Sequence, residues 1–208
     1  MTFARALFVV PPLLVGIAGA VAAARRGWMR VEVAGESMTP ALLPGDFLVL
    51  RRGAPAEANA FGQIVATRDP RAEGDGRLLL KRIVGLPGEA LRVGGGVQVN
   101  GRVLLEAYAH GETPMEQHRG INRLGSGEYF LLGDHRGAST DSRDFGPVPA
   151  ARIEGTAALR YWPPRRAGRL QPPERRLLGI ADRPASDPVA GGPAPVTWHD
   201  HAPESGKS

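Results

Sequence analysis

The chain contains no cysteine among its 208 residues. This absence excludes disulfides, thiolate metal sites and a cysteine nucleophile. It does not identify the compartment, because a cysteine-free chain tolerates oxidising and reducing surroundings alike. The net charge of +5 is not accompanied by aromatic interleaving or by a base-reading motif. We therefore expect no nucleic-acid partner.

Lysine is almost absent as well. Of the 26 Lys and Arg residues only Lys81 and Lys207 are lysines, and Lys81 lies inside the apolar stretch LLLKRIV. Arginine cannot be deprotonated in a protein, whereas a lysine buried among apolar groups can lose its proton. The alternative is that the chain simply prefers arginine and that Lys81 has no special role. The apolar neighbours favour a buried strand, which is a poor place for an ordinary solvated lysine.

No histidine lies in a sequence context that suggests a partner for a nucleophilic serine. The five are His110, His118, His135, His199 and His201. His110 with His118, and the tail stretch His199-Asp200-His201, are weak metal-ligand patterns that we interpret as solvated polar residues. The sequence therefore predicts no metal site and no cofactor.

The stretch AGESMTPALLPGD places Ser37 between an acid and a methionine. A serine hydroxyl is a poor nucleophile until a nearby base removes its proton. A neutral lysine amine can be that base if its pKa falls by roughly two to three units, which costs about 3–4 kcal/mol. The apolar neighbours of Lys81 can supply this shift by desolvation. A third stretch, GDHRGASTDSRDFGPVP from Gly133, adds polar groups directly after the apolar YFLL.

One long hydrophobic run precedes these stretches. Residues 6–24 are uncharged, and the run is close to the roughly 20 residues needed to cross a bilayer. A cleavable signal peptide and a buried soluble helix are the two alternatives. The arginines after the run, at positions 25, 26 and 30, favour a cytoplasmic location for the C-terminal side of the run.

The middle of the chain is typical of β structure. Short apolar stretches from Arg30 to about Trp162 are separated by Gly, Pro or Asp, with no long helical period and no internal repeat. Asn100-Gly101 inside VQVNGRVLL predicts a type I′ hairpin turn, whereas ARIEGTAALRYW fits a strand or a short helix. After Pro163 the composition becomes rich in Pro, Arg and Gly, which is typical of disorder. We predict an anchor and flank at 1–29, a mainly β domain at 30–162, and a disordered, dispensable tail at 163–208.

Three stretches together resemble the type I signal peptidases, a family of membrane-bound serine-lysine proteases. SMTPALLPGD resembles the family's nucleophile box, LLLKRIVGLPGE the lysine box, and GDHRGASTDSRDFGPVP the third box. The resemblance covers about residues 6–162, with the three boxes in the family's order. It implies a mainly β catalytic domain preceded by one N-terminal transmembrane helix.

The resemblance also implies roles for individual residues. Ser37 would be the acylated nucleophile, with its backbone N–H helping to bind the oxyanion, and Lys81 would be the general base. Ser139 would hydrogen-bond the lysine amine and orient it. A supporting ion-pair cluster would consist of Arg82, Asp134, Asp141 and Arg143.

The substrates implied are exported preproteins whose signal peptides end in Ala-x-Ala-like sequences. Such a segment would add as an extended strand and place two small side chains in apolar pockets, which by family position are lined by Ala34, Met38, Leu42, Leu79 and Leu80. Two positions depart from the family pattern. Gly35 stands where some members carry an oxyanion-binding hydroxyl, and His135 stands where asparagine is usual.

The partners implied are signal-peptide-bearing preproteins and a lipid bilayer. The protein would be a single-pass protein of the cell membrane, with its catalytic domain on the extracytoplasmic side. This orientation follows the family and opposes the charge bias of the arginines after the hydrophobic run. Nothing in the sequence indicates the oligomeric state or which preproteins are cut.

Three other functions use similar residues. Self-cleaving repressors share the dyad, but they carry a DNA-binding domain where this chain has an apolar run. A dedicated maturation protease that acts on one partner fits the same motifs. An inactive membrane-anchored binding module would have no need of Ser37, Lys81 and Ser139 together.

The predicted orientation can be tested with intact spheroplasts. If residues 6–24 form an uncleaved transmembrane helix with the β domain outside the cytoplasm, added protease should degrade the C-terminal domain. A domain that is protected in spheroplasts but sensitive in lysed cells would show that the orientation is reversed.

Overall fold

The structure is a computed structural model, and it describes residues 27–71, 76–113, 119–121 and 123–179. The predicted membrane helix at residues 6–24 lies outside these ranges. Within them no helix is both long and apolar enough to span a bilayer. The described part of the chain is mainly β structure, as the sequence predicts.

The larger sheet carries the site. Its strands run in the order β1-β2-β11-β3-β4-β9-β10, and β12 pairs with β11. Every pairing in this sheet is antiparallel. The strand bounds are β1 Trp28–Glu32, β2 Phe47–Arg52, β3 Ile64–Arg68, β4 Leu78–Gly85, β9 Glu128–Leu132, β10 Val148–Pro149, β11 Ile153–Trp162 and β12 Gly168–Arg169.

A smaller sheet packs beside it, with its strands in the order β13-β7-β6-β5-β8. The predicted type I′ turn joins β6 to β7, because Asn100 and Gly101 both have positive φ, 51° and 77°. The bounds are β5 Leu91–Val93, β6 Val97–Val99, β7 Arg102–Leu105, β8 Arg119–Ile121 and β13 Arg176–Leu178.

Helical structure is confined to single turns in the described residues. The α-helical turn, α1 at Ser142–Phe145, starts at Asp141, whose side chain accepts a hydrogen bond from the N–H of Arg143. The side chain of Asp144 accepts one from the N–H of Asp141 in return, which completes a capping box. Short 3-10 turns occur at Glu57–Asn59, Arg136–Ala138, Ala150–Arg152 and Pro164–Arg166.

The core forms where the two sheets meet. Val84 on β4 and Phe130 and Leu132 on β9 pack against the apolar face of the smaller sheet. The sheets approach closely at Gly85 on β4, where an added Cβ would collide with Leu91 Cδ1 on β5. A second apolar cluster lies beneath the stretch that carries Ser37, and it contains Met38 and Leu42.

The segment after residue 162 differs from the predicted disordered tail. Residues 163–179 continue the β structure, because β12 pairs with β11 and β13 pairs with β7. Leu170 and Leu177 pack against the two main apolar clusters. Composition predicted disorder because this segment contains few large apolar residues. In the structure, residues 163–179 are held in addition by backbone hydrogen bonds between strands and by ion pairs. Residues 180–208 of the predicted tail lie outside the described ranges.

Two truncations test this difference. Ending the chain after residue 163 removes both strands and the ion pair between Arg166 and the buried carboxylate of Asp46. We expect the free energy of unfolding to fall by about 3 kcal/mol, since breaking a buried pair leaves a carboxylate undercompensated. Ending it after residue 179 keeps both strands and the ion pair, and should leave urea-unfolding midpoints unchanged. Equal midpoints for the two truncated proteins would show that residues 163–179 add no stability.

Candidate active site

Ser37 and Lys81 lie together although 44 positions separate them. Lys81 Nζ is 2.7 Å from Ser37 Oγ. Lys81 lies in the middle of β4, and Ser37 lies in the connection between β1 and β2, here called the Ser37 loop (residues 33–46). The sheet thus brings the two predicted catalytic groups into hydrogen-bonding distance.

Burial shifts the Lys81 amine towards its neutral form. The residue is only 2% exposed. Desolvation lowers the pKa of Lys81 from 10.5 to about 8, opposed by the charge of Asp141 and assisted by that of Arg143. At such a pKa, a useful fraction of the amine is unprotonated near neutral pH. The residue therefore has the geometry and the protonation behaviour of a general base.

A cleft of about 440 Å³ opens beside this pair. One side is formed by residues 31–38 and the other by residues 77–81. Leu78–Lys81 pair with β3 along one edge, while β9 pairs with β4 only from Arg82 onwards. Within the described residues the other edge of 78–81 carries no strand, and β1 pairs with β2 alone. The cleft thus lies between two unpaired strand edges.

Most of the predicted substrate-binding residues line this cleft. They are Ala34, Gly35, Met38, Leu79 and Leu80. Leu42 does not line it. Leu42 is 0% exposed and belongs to the apolar cluster beneath the Ser37 loop. Leu42 supports the cleft from below, which corrects its predicted place in a pocket.

The Ser37 loop is attached to the end of β9. The N–H of His135 donates to Ser37 O over 3.0 Å, and His135 Nδ1 lies 3.2 Å from Thr39 Oγ1. Gly133 permits this approach, since an added Cβ there would lie 2.6 Å from Ser37 O and would collide with the side chain of Ser139. A glycine is required at this position because two segments meet where a side chain would begin.

Ser139 lies in the predicted neighbourhood but lacks the predicted contact. Its Oγ is shielded from solvent and makes no hydrogen bond within the described residues. The expected bond to the Lys81 amine is therefore not formed in this structure. Lys81 already has a partner in Ser37, so the amine position is set without Ser139.

Two of the predicted supporting residues form a buried ion pair. Arg82 donates from Nε to Asp134 Oδ1 over 2.7 Å, and from Nη2 to Oδ2 over 2.5 Å. A further donor, Arg82 Nη1, reaches Gly62 O over 2.7 Å. Burial raises the pKa of the Asp134 carboxyl, and the Arg82 guanidinium opposes this rise. The pair ties β4, next to Lys81, to the end of β9.

The other two supporting residues form a second, separate pair. Arg143 donates from Nε and Nη2 to the two oxygens of Asp141 over 2.8 and 2.9 Å, and both side chains are 0% exposed. Asp141 also accepts from the N–H of Gly133 over 2.9 Å. The predicted cluster is thus two bidentate pairs. Both act on Lys81, since Asp141, Arg143 and Asp134 all influence its pKa.

The structure adds supporting contacts that the sequence did not predict. Arg136 pairs with Glu106 at 2.6 Å, and Tyr108 donates to the same carboxylate over 2.7 Å. The Tyr108 ring lies under the Arg82 guanidinium, 4.6 Å from ring centre to Cζ. Arg136 lies in the GDHRG stretch and Glu106 ends the VNGRVLLE stretch, a shorter pattern that also resembles the family, but neither pattern predicts that the two residues pair. Only the fold brings them together.

No group of three or more potential metal ligands occurs in the described parts of the chain. The rings of His110 and His135 lie 5.5 Å apart edge to face, without a third ligand. His118, His199 and His201 lie outside the described residues. The 2.7 Å contact between Lys81 Nζ and Ser37 Oγ has a geometry that suits acyl transfer by a serine with an amine base.

The chain is similar to known proteins of one peptidase family. The family model "Signal peptidase, peptidase S26" matches residues 5–162. A "Probable signal peptidase I-2" of Synechocystis sp. is 33% identical over 85% of this chain and 80% of its own length. A "Signal peptidase I" of Leptolyngbya laminosa is 41% identical, but over 45% of this chain and 46% of its own length. A "Mitochondrial ATP-independent inner membrane protease subunit 1a" of Arabidopsis thaliana is 36% identical over 67% of this chain and 74% of its own length.

The cost of burying the Lys81 amine can be measured from the pH dependence of stability. The pKa of Lys81 is lowered to about 8 in the folded protein. The unfolded chain therefore binds more protons between about pH 8 and its ordinary pKa near 10.4, and stability rises with pH across that window. Lys81→Met removes the charge and keeps the chain length. We expect it to be more stable than the wild type at pH 7, by up to about 3 kcal/mol, with the difference shrinking towards pH 10.

Chemical denaturation at several pH values measures this difference. Ser37→Ala is the matched control, because it changes the site but keeps the amine and should keep the wild-type pH dependence. A Lys81→Met protein that is less stable than the wild type at pH 7 would show that the amine is not buried at a cost.

Proposed function

We propose a mechanism on the premise that this chain belongs to the signal peptidase family, peptidase S26, and is a serine peptidase that removes signal peptides. In it Ser37 is the nucleophile and Lys81 is the general base. The observation that carries the proposal is the 2.7 Å distance between Lys81 Nζ, buried on β4, and Ser37 Oγ.

The neutral Lys81 amine accepts the proton of the Ser37 hydroxyl while Oγ attacks the carbonyl carbon of the scissile bond. The resulting ammonium gives that proton to the departing amine, and the C–N bond breaks to leave an ester on Ser37. A water molecule then attacks the ester with Lys81 again as base. The signal peptide leaves with a free carboxylate, and Ser37 regains its proton.

The tetrahedral intermediates need donors for their negative oxygen. The backbone N–H of Ser37 makes no hydrogen bond within the described residues, which leaves it available for this role. Gly35 provides no side-chain donor. We therefore propose that backbone amides supply the stabilisation of the oxyanion.

The substrate binds as an extended strand in the cleft. The unpaired edges of residues 31–36 and 78–81 offer backbone groups on both sides, so the substrate strand would join them by β-addition. Leu79 and Lys81 are two positions apart on β4 and face the same side. The cleft has an apolar lining that includes Ala34, Met38, Leu79 and Leu80. Such a lining favours the small apolar side chains that precede the scissile bond.

The membrane location is part of the same proposal. Residues 6–24 are uncharged and long enough to cross a bilayer. A single-pass anchor that places the catalytic domain on the extracytoplasmic side would keep it close to tethered preproteins and raise their effective concentration.

A narrower specificity is the second candidate. The chain is also similar to an inner membrane protease subunit of Arabidopsis, and the alternative that we carry forward is a dedicated maturation protease that acts on one partner. A panel of unrelated preproteins with Ala-x-Ala-like sites separates the two, because a general peptidase cleaves most of them and a dedicated one does not.

The dyad is tested by Lys81→Arg. This change keeps the charge and much of the stem, but guanidinium stays protonated and cannot accept the proton of Ser37. We expect Lys81→Arg and Ser37→Ala each to reduce cleavage of a preprotein by more than a thousandfold, since single losses in such a unit are nearly complete. Ser139→Ala should be much milder, because its Oγ makes no hydrogen bond in the described structure.

The assay uses the full chain in detergent, with the new N-terminus of the product mapped by sequencing. Wild-type activity should rise with pH as Lys81 deprotonates, with a midpoint near its pKa of about 8. A Lys81→Arg protein that cleaves at a substantial fraction of the wild-type rate would disprove the dyad and make His135 the next residue to test.

A further inference from the structure

A buried carboxylate at the end of the Ser37 loop binds two arginines. Asp46 is only 1% exposed, and its Oδ2 accepts from the N–H of Leu43 over 2.9 Å. Arg160 Nη1 lies 3.2 Å from the same oxygen, and Arg166 Nη1 lies 2.9 Å from Oδ1. Asp46 is the one carboxylate paired with either arginine in the described residues. These three side chains are here called the Asp46 cluster.

The same two arginines also bind the loop backbone. Arg160 Nη1 donates to Ala41 O over 2.9 Å, and Arg166 Nη2 donates to it over 3.3 Å. A carbonyl and a carboxylate five positions apart in the loop are thus held by one pair of guanidinium groups. Arg160 in turn donates from Nε to Arg166 O, which fixes the two arginines relative to each other.

Short backbone bonds connect this contact to the nucleophile. The N–H of Leu42, next to Ala41, donates to Met38 O over 2.8 Å, and Met38 follows Ser37. At the other end of the loop, Val33 and Asp46 are joined by a 2.9 Å backbone bond. The N–H of His135 binds Ser37 O from the opposite side. The loop is therefore fixed between the end of β9 and the Asp46 cluster.

Arg166 comes from outside the part of the chain that the family assignment covers. The family model matches residues 5–162, and Arg166 lies in the 3-10 turn Pro164–Arg166 that comes next. Its neighbour Arg165 is exposed and makes no hydrogen bond or ion pair among the described residues. The two adjacent arginines thus differ in one respect that matters here, the contact with the Ser37 loop.

We propose that Arg166 is a positioning residue for the reaction: through Ala41 O and Asp46 it holds the Ser37 loop so that Ser37 Oγ stays within reach of the Lys81 amine. This inference rests on the proposed function of the dyad. Arg166 touches neither the cleft nor Lys81, so its loss displaces the nucleophile without changing the groups that contact the substrate strand.

The test compares Arg166→Ala with Arg165→Ala in the full chain in detergent. A displacement of a catalytic atom by about an ångström can cost up to roughly a hundredfold in rate. We expect kcat of Arg166→Ala to fall roughly ten- to a hundredfold, with KM and the pH midpoint of activity unchanged. Arg165→Ala should match the wild type. Arg166→Lys keeps the charge but cannot reach Asp46 and Ala41 O with two separate nitrogens, and should have an intermediate kcat.

The readout separates positioning from a general loss of stability. Rates are measured well below the unfolding temperature of each variant, and kcat is expressed per folded molecule from circular dichroism. If Arg166→Ala does not fold, the proposal is tested by measuring kcat per folded molecule and KM for Arg166→Lys. A wild-type kcat per folded molecule in the folded variant would overturn the proposal, as would a rise in KM with kcat unchanged.

Ser37→Ala and Lys81→Arg are assayed in parallel. If both are inactive while the Arg166 variants keep full kcat, the positioning role is wrong and the dyad stands. If either dyad variant keeps substantial activity, the proposed mechanism itself fails, and with it the role given to Arg166.

Discussion

The described site depends on the burial of one lysine amine, because desolvation lowers the pKa of a lysine towards neutral pH and lets it act as a base. Lys81 lies in the middle of β4, flanked by β3 and, from the next residue onwards, by β9. It is 2% exposed, yet its Nζ reaches Ser37 Oγ at 2.7 Å. Desolvation by burial is the largest influence on its pKa.

The charged residues around Lys81 form ion pairs, which limits how far the acids among them raise its pKa. Asp141 and Asp134 both raise the pKa of Lys81, which would restore the ammonium form. Each carboxylate is bound by its own guanidinium, Arg143 or Arg82, with two hydrogen bonds. The positive charge of Arg143 also lowers the pKa of Lys81 directly. The two ion pairs therefore fix the segments of the site and limit the electrostatic pull of the acids at the same time.

The sequence predicted the features that depend on short-range pattern. The strands, the Asn100-Gly101 turn and the proximity of Ser37 and Lys81 follow from local signals or from the family resemblance. It placed Leu42 in a pocket and gave Ser139 a bond to Lys81, because family position does not say which way a side chain turns. It ended the fold at residue 162, because Arg166 and Arg175 anchor the next segment through partners at Asp46 and Glu89. Such partners are visible only when distant segments are brought together.

The open edge of β4 explains why several contacts outside the larger sheet's strand pairing fix the position of the Ser37 loop. An unpaired strand edge is a site for unwanted pairing, and proteins usually keep such edges short or charged. Here the open stretch is limited to Leu78–Lys81, with exposed Arg77 before it and Arg82 already paired to β9 after it. In the proposed mechanism the substrate strand pairs with this edge, which requires that no strand of the protein occupies it. The Ser37 loop faces the same gap and, among the described residues, has no neighbouring strand on that side. Its position is set instead by the hydrogen bonds that Asp46 and Ala41 O accept from Arg166 and Arg160 and by the bond from the N–H of His135.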